Sequence, residues 1–283
     1  MPEIQLVGGP LDGLALHYLV EGSGPTTLLI HGLGGFAESW RHTLPELARH
    51  GTVIALDLPG FGRSGKPPVT YRLSFHAEAV AGFLRALGVE QVRLVGHSLG
   101  GAVAAAYAVA HPGRVERLAL VGATVPGFPL RPSLVYRLMA LPGVGELMSL
   151  LVTPGICTAA LRRCLVHADP DEVCFFVSHE YAVRASPEGR AAYLSTLRSA
   201  KVDFTRDGPA YRAVLGRRRR AVLVIHGRQD PVVSLAHAEA VAAGIPGAEA
   251  HWLDRCGHFP QIEHAAIVNE WLAGFLYAPS RSR

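Results

Sequence analysis

Residues 91–101, QVRLVGHSLGG, decide how this chain is read. An apolar run leads into Gly96-His97-Ser98-Leu99-Gly100, Gly101 follows, and the next nine residues have the composition of a buried helix. In a G-x-S-x-G elbow the serine sits on a sharp, strained strand-to-helix turn, and small residues on either side let strand and helix approach closely. That turn lifts the hydroxyl clear of the sheet. The helix beginning there aims backbone N–H groups, and the positive end of its dipole, at any oxyanion forming beside the serine. A glycine-rich turn with an incidental serine has no need of a strand before it and a helix after it. Ser98 is therefore the candidate nucleophile.

Working outward, short apolar runs alternate with helical patterns. LALHYLV (14–20), TTLLIH (26–31), TVIALDLPG (52–60), QVRLVGH (91–97) and VERLALVG (115–122) read as strands, the almost wholly apolar ones suiting a parallel sheet buried on both faces. Helices are expected over 37–50, over 74–87 with Ser74 as cap, and over about 99–110. The rhythm stops between 125 and 204, where SLVYRLMALPGVGELMSLLV and similar amphipathic stretches are broken by Pro-Gly pairs. It resumes with strand AVLVIHG (221–227), a helix near 235–243, strand AEAHWL (248–253) and a last helix over about 263–276. The fold class is α/β: a mostly parallel, doubly wound sheet formed by 1–124 and 205–283, with a helical insertion over 125–204. Such an insertion belongs at the loop end of the sheet, where open α/β sheets carry their sites.

A serine hydroxyl needs a base to take its proton, and the base needs an acid to orient it. After an elbow of this kind the chain order is serine, acid, histidine. Asp230, in GRQDPVV after the strand AVLVIHG, is the candidate acid; His258, in CGHFPQIEH after AEAHWL, is the candidate base. Asp254 is the nearest rival acid, but it shares a loop with His258 and reads as a turn residue. Of the 14 histidines, His237, His251 and His264 fall on helices or a strand and read as surface or packing residues. The oxyanion donors expected are the N–H of Leu99 and that of Leu33, in the loop His31-Gly32-Leu33-Gly34-Gly35, with Gly32 and Gly34 freeing the backbone around Leu33. His31 and His97 read as anchors of their loops.

A formal charge of +4 makes no case for a nucleic-acid partner, and the run Arg217 to Arg220 reads as a solvated turn before a strand. Cys157, Cys164, Cys174 and Cys256 have no metal-ligand spacing and read as packing residues in a reducing compartment. The N-terminal residues lack the pattern of a secretory signal, and no apolar run has the length of a membrane span. The expectation is a cytoplasmic protein without stable membrane insertion.

HGLGG (31–35), DLPGFGRS (57–64), GHSLGG (96–101), GRQDPVV (227–233) and CGHFPQIEH (256–264) together resemble the α/β-hydrolase superfamily, in its branch of esterases, carbon–carbon bond hydrolases, epoxide hydrolases and dehalogenases with lids. The resemblance implies that 125–204 is a helical lid and that Ser98, Asp230 and His258 form the triad, with no metal or organic cofactor. A serine at the elbow departs from the aspartate of epoxide hydrolases and haloalkane dehalogenases. His97 and Phe259 stand where hydrolases of meta-cleavage products usually carry Asn and Trp. The remaining match is an ester hydrolase, and the apolar insertion suggests a small-molecule ester with an apolar acyl group. Carbon–carbon bond hydrolysis, acyl transfer and ligand reception on the same fold are the alternatives.

Overall fold

Strands form over Glu3–Gln5 (β1), Ala15–Glu21 (β2), Thr26–Ile30 (β3), Thr52–Leu56 (β4), Val92–His97 (β5), Val115–Val121 (β6), Val222–Gly227 (β7) and Glu249–Leu253 (β8) in the computed structural model, which describes residues 2–218 and 221–279. They make one sheet in the order β1-β2-β4-β3-β5-β6-β7-β8. β2 runs antiparallel to β1 and β4, and every other pairing is parallel. Successive residues of a strand face opposite sides of a sheet, and here both sides are covered. Leu28, Ile30, Leu94, Leu118 and Leu120 enter one apolar cluster with helices α2 (Leu73–Ala86), α3 (Leu99–Ala110) and α10 (Leu235–Gly244). Leu29, Val95, Ala119 and Val121 enter the other, with α1 (Leu44–Leu47) and α12 (Ala265–Tyr277). This is the α/β sheet expected from the alternation, with β5 and the elbow near its middle.

Three local expectations need correction. Residues 37–50 do not form one helix: a 3-10 turn over Ala37–Trp40 is followed by the single turn α1. Pro45 in the first turn of α1 has no N–H with which to continue a helix from the preceding residues. Ser74 does not cap α2, whose cap position is Arg72 and carries no side-chain cap bond. Instead the Leu73 N–H donates to Asp203 Oδ2 at 3.0 Å, a carboxylate brought from 130 residues away. The last helix is split into α11 (Pro260–Glu263) and α12 by His264, at φ −134° and ψ 42°.

Between β6 and β7 lie α4 (Leu134–Met139), α5 (Val144–Leu150), α6 (Pro154–Cys164), α7 (Pro170–Arg184), α8 (Pro187–Thr205) and α9 (Gly208–Leu215). The helical segment thus continues to Leu215. Its entry is fastened by His237, whose Nε2 accepts the Val125 N–H at 3.0 Å while Nδ1 donates to the Pro129 carbonyl at 2.7 Å. Its far side is fastened by Arg72, which donates from Nε and Nη2 to Asp203 at 2.8 and 2.6 Å and from Nη2 to Asp207. Arg218 donates to the Val115 carbonyl; Arg219 and Arg220 lie outside the described residues. Among the described residues no single helix is long and apolar enough to cross a membrane.

Candidate active site

Ser98 occupies φ 53° and ψ −121°, a backbone region that costs a non-glycine residue about 1–3 kcal/mol. Close packing on every side holds it there. A Cβ on Gly96 would come within 2.4 Å of the Gly100 carbonyl oxygen, and one on Gly100 within 2.2 Å of the Ile30 oxygen. Alanine at either position would force β5, α3 and β3 apart. The elbow glycines are therefore steric requirements of the turn.

The structure brings Ser98, His258 and Asp230 into one hydrogen-bonded chain. Ser98 Oγ lies 3.0 Å from His258 Nε2, and His258 Nδ1 lies 2.8 Å from Asp230 Oδ2. The carboxylate accepts at Oδ2, so Nδ1 carries the proton and Nε2 is free to accept from the hydroxyl. Asp230 Oδ1 also accepts the N–H groups of Val232 and Val233 at 2.7 and 2.9 Å. Burial works to raise the Asp230 carboxyl, but facing His258, His226 and the Val233 N–H together hold it below the ordinary carboxylate value. It stays ionised against the imidazole. Asp254 has 82% of its side chain exposed and pairs with Arg228, away from this chain.

The loop after β3 runs directly beside the serine, because a Cβ on Gly32 would lie 3.0 Å from Ser98 Cβ. The Gly35 N–H closes a turn onto the Gly32 carbonyl, and Gly34 takes φ +74°. Among the described residues the N–H groups of Leu33 and Leu99 have no acceptor in the protein. His31 anchors this loop: Nδ1 donates to the Gly32 carbonyl at 2.7 Å, and Nε2 accepts the Leu58 N–H at 3.0 Å. His97 donates from Nε2 to the His258 carbonyl at 2.8 Å, which fastens the elbow to the His258 loop. Burial, aided by neighbouring His258, pushes His97 down to about 3, so it is a neutral brace. Asp57 of the DLPG stretch supports the same corner, accepting from His17 Nδ1 and from the N–H groups of Ala37 and Arg63.

Two contributions escaped sequence reasoning. Glu263 Oε1 accepts the Gly257 N–H at 2.8 Å, and its Oε2 accepts those of Val166 and His167 at 2.6 and 3.1 Å. The His258 N–H donates to the Cys164 carbonyl at 2.7 Å, so the His258 loop is sewn to the end of α6 at four N–H groups. On α7, Glu180 pairs with Arg184 at 3.0 Å, and the Arg184 guanidinium lies over the Tyr193 ring. A Cβ on Gly34 would come within 3.4 Å of both Glu180 Oε1 and Tyr193, so this pair sits against the loop after β3. Burial raises the Glu180 carboxyl despite Arg184. In the sequence, Glu180 and Arg184 look like any exposed i,i+4 pair. The four cysteines are free thiols, and burial pushes Cys164 up to about 12.

Comparison with known proteins gives a consistent picture. A family model described as alpha/beta hydrolase fold matches residues 25–154. The 2-hydroxymuconate semialdehyde hydrolase of Pseudomonas sp. (strain CF600) is 34% identical over 264 residues, covering 90% of this chain and 88% of that one. Among solved structures, the 2-hydroxy-6-oxo-6-phenylhexa-2,4-dienoate hydrolase of Rhodococcus sp. strain RHA1 is 31% identical with a TM-score of 0.81, covering 94% of this chain and 95% of that one. An esterase from Exiguobacterium antarcticum has a TM-score of 0.81 at 21% identity, covering 98% of this chain and 99% of that one, a likeness of fold alone.

Proposed function

The chain belongs to the α/β-hydrolase fold family, and from that premise we propose that it is a serine hydrolase cleaving carboxylic esters through an acyl-enzyme on Ser98. The observation that carries this reading is the Ser98–His258–Asp230 chain beside two N–H groups, of Leu33 and Leu99, that have no acceptor among the described residues. His258 takes the hydroxyl proton as Ser98 attacks the ester carbonyl. The oxyanion that forms is met by the Leu33 and Leu99 N–H groups, and His258 returns its proton to the departing alcohol. Water then attacks the acyl-enzyme with the same residues in reversed roles. Asp230 holds the imidazole in its Nδ1–H tautomer and balances its charge when it is protonated.

We read α4 to α9 as a lid over this site. Phe36, Leu161, Val173 and Phe176 form an apolar cluster that reaches Phe259 beside His258, which favours an apolar acyl group. A second reading is carbon–carbon bond hydrolysis, favoured by 34% identity to the 2-hydroxymuconate semialdehyde hydrolase. The Glu180–Arg184 pair weighs against it for this chain. A dienoate substrate carries a carboxylate, but the charged group against Gly34 is the Glu180 carboxyl, and Arg184 is already paired with it.

The test is an assay of the purified protein on p-nitrophenyl esters of increasing acyl length and on a ring-fission dienoate, with Ser98→Ala alongside. Turnover of esters that disappears in Ser98→Ala is the expected result. A protein inert on every ester but active on the dienoate would transfer the function to the second reading. Ester turnover unchanged in Ser98→Ala would overturn the mechanism.

A further inference from the structure

Large apolar side chains left in contact with solvent are concentrated in one part of this molecule. Of the fifteen exposed large hydrophobic residues among the described residues, nine fall between Leu134 and Ile156. On α4, Met139 turns inward, while Leu134, Val135 and Leu138 are exposed. On α5, Gly145 packs against Met139 and Leu194, and Ser149 is buried. Val144, Leu147 and Leu151 then share the opposite, exposed stripe at i, i+3 and i+7. These adjoining helices leave unpaired an apolar face of the kind that marks an interaction surface.

The charge along 131–164 is one-sided. Arg131, Arg137, Arg162 and Arg163 are all exposed, and none has a hydrogen-bond or ion-pair partner among the described residues. Glu146 is the one acidic residue from 131 to 164, and it is already held by Arg198 and the Gly143 N–H. We propose that α4, α5 and α6 dock peripherally on an anionic phospholipid surface, with leucines of α4 and α5 entering the headgroup boundary and the arginines meeting lipid phosphates. The geometry fits lying on a bilayer and not crossing it: α5 has seven residues, and the axis turns by 106° between α5 and α6. A second copy is a poorer occupant. A symmetric contact through this face would bring the same uncompensated arginines of two copies together. The proposal is independent of which bond the enzyme cleaves.

The experiment is flotation of the full chain with vesicles of phosphatidylcholine containing phosphatidylglycerol, against vesicles of phosphatidylcholine alone. Binding is expected to the anionic vesicles, weakening as salt is raised. The double variant Leu147→Glu, Leu151→Glu should bind at least about tenfold more weakly. Replacing Arg162 and Arg163 by Gln should cost about fivefold for each arginine. Thermal melts of both variants should match the parent, since the altered side chains touch solvent. Failure to float with anionic vesicles would overturn the proposal, as would binding unaffected by both sets of substitutions. A dimer in light scattering that Leu147→Glu, Leu151→Glu converts to a monomer, with no vesicle binding by the parent, would assign the face to a second copy instead.

Discussion

The loops at the ends of β3, β5, β7 and β8 and the helices α4 to α6 treat their chemical groups in opposite ways. At the strand ends, polar groups are tied to named partners: buried His31, Asp57 and His97 and half-buried Glu263 each hold a backbone group from another segment, and buried Asp230 holds His258 and two N–H groups of its own loop. On the outer face of α4 and α5, leucines meet water, and the nearby arginines have no acidic partner among the described residues. The first region uses its interactions to fix positions, which the proposed attack by Ser98 requires. The second leaves interactions unmade, which suits a surface that meets something else. The sheet end is where hydrogen bonds are closed, and the outer face of the helices is where they are left open.

That contrast can be broken most sharply at Ser98. Ser98→Ala or His258→Ala should lower kcat by about 10⁶-fold without loss of stability, because members of such a chain act as a unit. A small effect of His258→Ala would remove the sheet end from the chemistry. Asp230→Asn keeps the shape but removes the charge and favours the wrong tautomer, and kcat should fall by about 10⁴-fold. Next in size is the tether between α2 and α8, which holds the helical segment to the sheet domain. Asp203→Ala removes the acceptor for Arg72 and for the Leu73 N–H, and urea unfolding should show a loss of about 3 kcal/mol. A loss near zero would mean that α8 is held without it.

Acid should weaken the sheet end through its neutral histidines. Burial pushes both His76 and His97 down to about 3 from the ordinary 6.5, so the unfolded chain binds more protons than the folded one between these values. Stability is therefore full above 6.5 and falls as pH drops toward 3. Thermal or urea unfolding should register roughly 1 kcal/mol lost per ring between about pH 7 and about pH 5.5. A flat profile over that interval would show that these rings are not held neutral. The smallest effect is expected at Glu263, whose carboxylate holds the His258 loop through the Gly257 N–H. Glu263→Ala should lower kcat about tenfold with KM little changed, and Glu263→Gln should recover part of it. A rise in KM at constant kcat would instead place Glu263 in substrate binding.

Much of the fold was legible because its signals are local. Apolar runs of strand length, a helix after most of them, and glycines at the elbow are properties of a few neighbouring residues, and they place Ser98 on its turn. Asp230 and His258 were found from their positions after predicted strands. The misreadings share one cause. Ser74 was a plausible cap by local pattern, yet α2 receives its acceptor from Asp203 in another helix. Residues 37–50 had helical spacing, but Pro45 and the pull of Asp57 on the Ala37 N–H divide them. The apolar residues of 125–204 look alike in the sequence, yet the leucines of 134–151 are exposed while Leu161, Val173 and Phe176 are buried.

The sequence by itself determined the α/β layering, the elbow and the identity of the three residues joined through His258, because periodicity and steric demand act over a few residues. Only the tertiary structure decided that Glu263 sews the His258 loop to α6, that Glu180, paired with Arg184, sits against Gly34, and which face of α4 and α5 meets solvent. Those outcomes depend on segments far apart in the chain, and a side chain's role there is set by what packing brings within hydrogen-bonding reach.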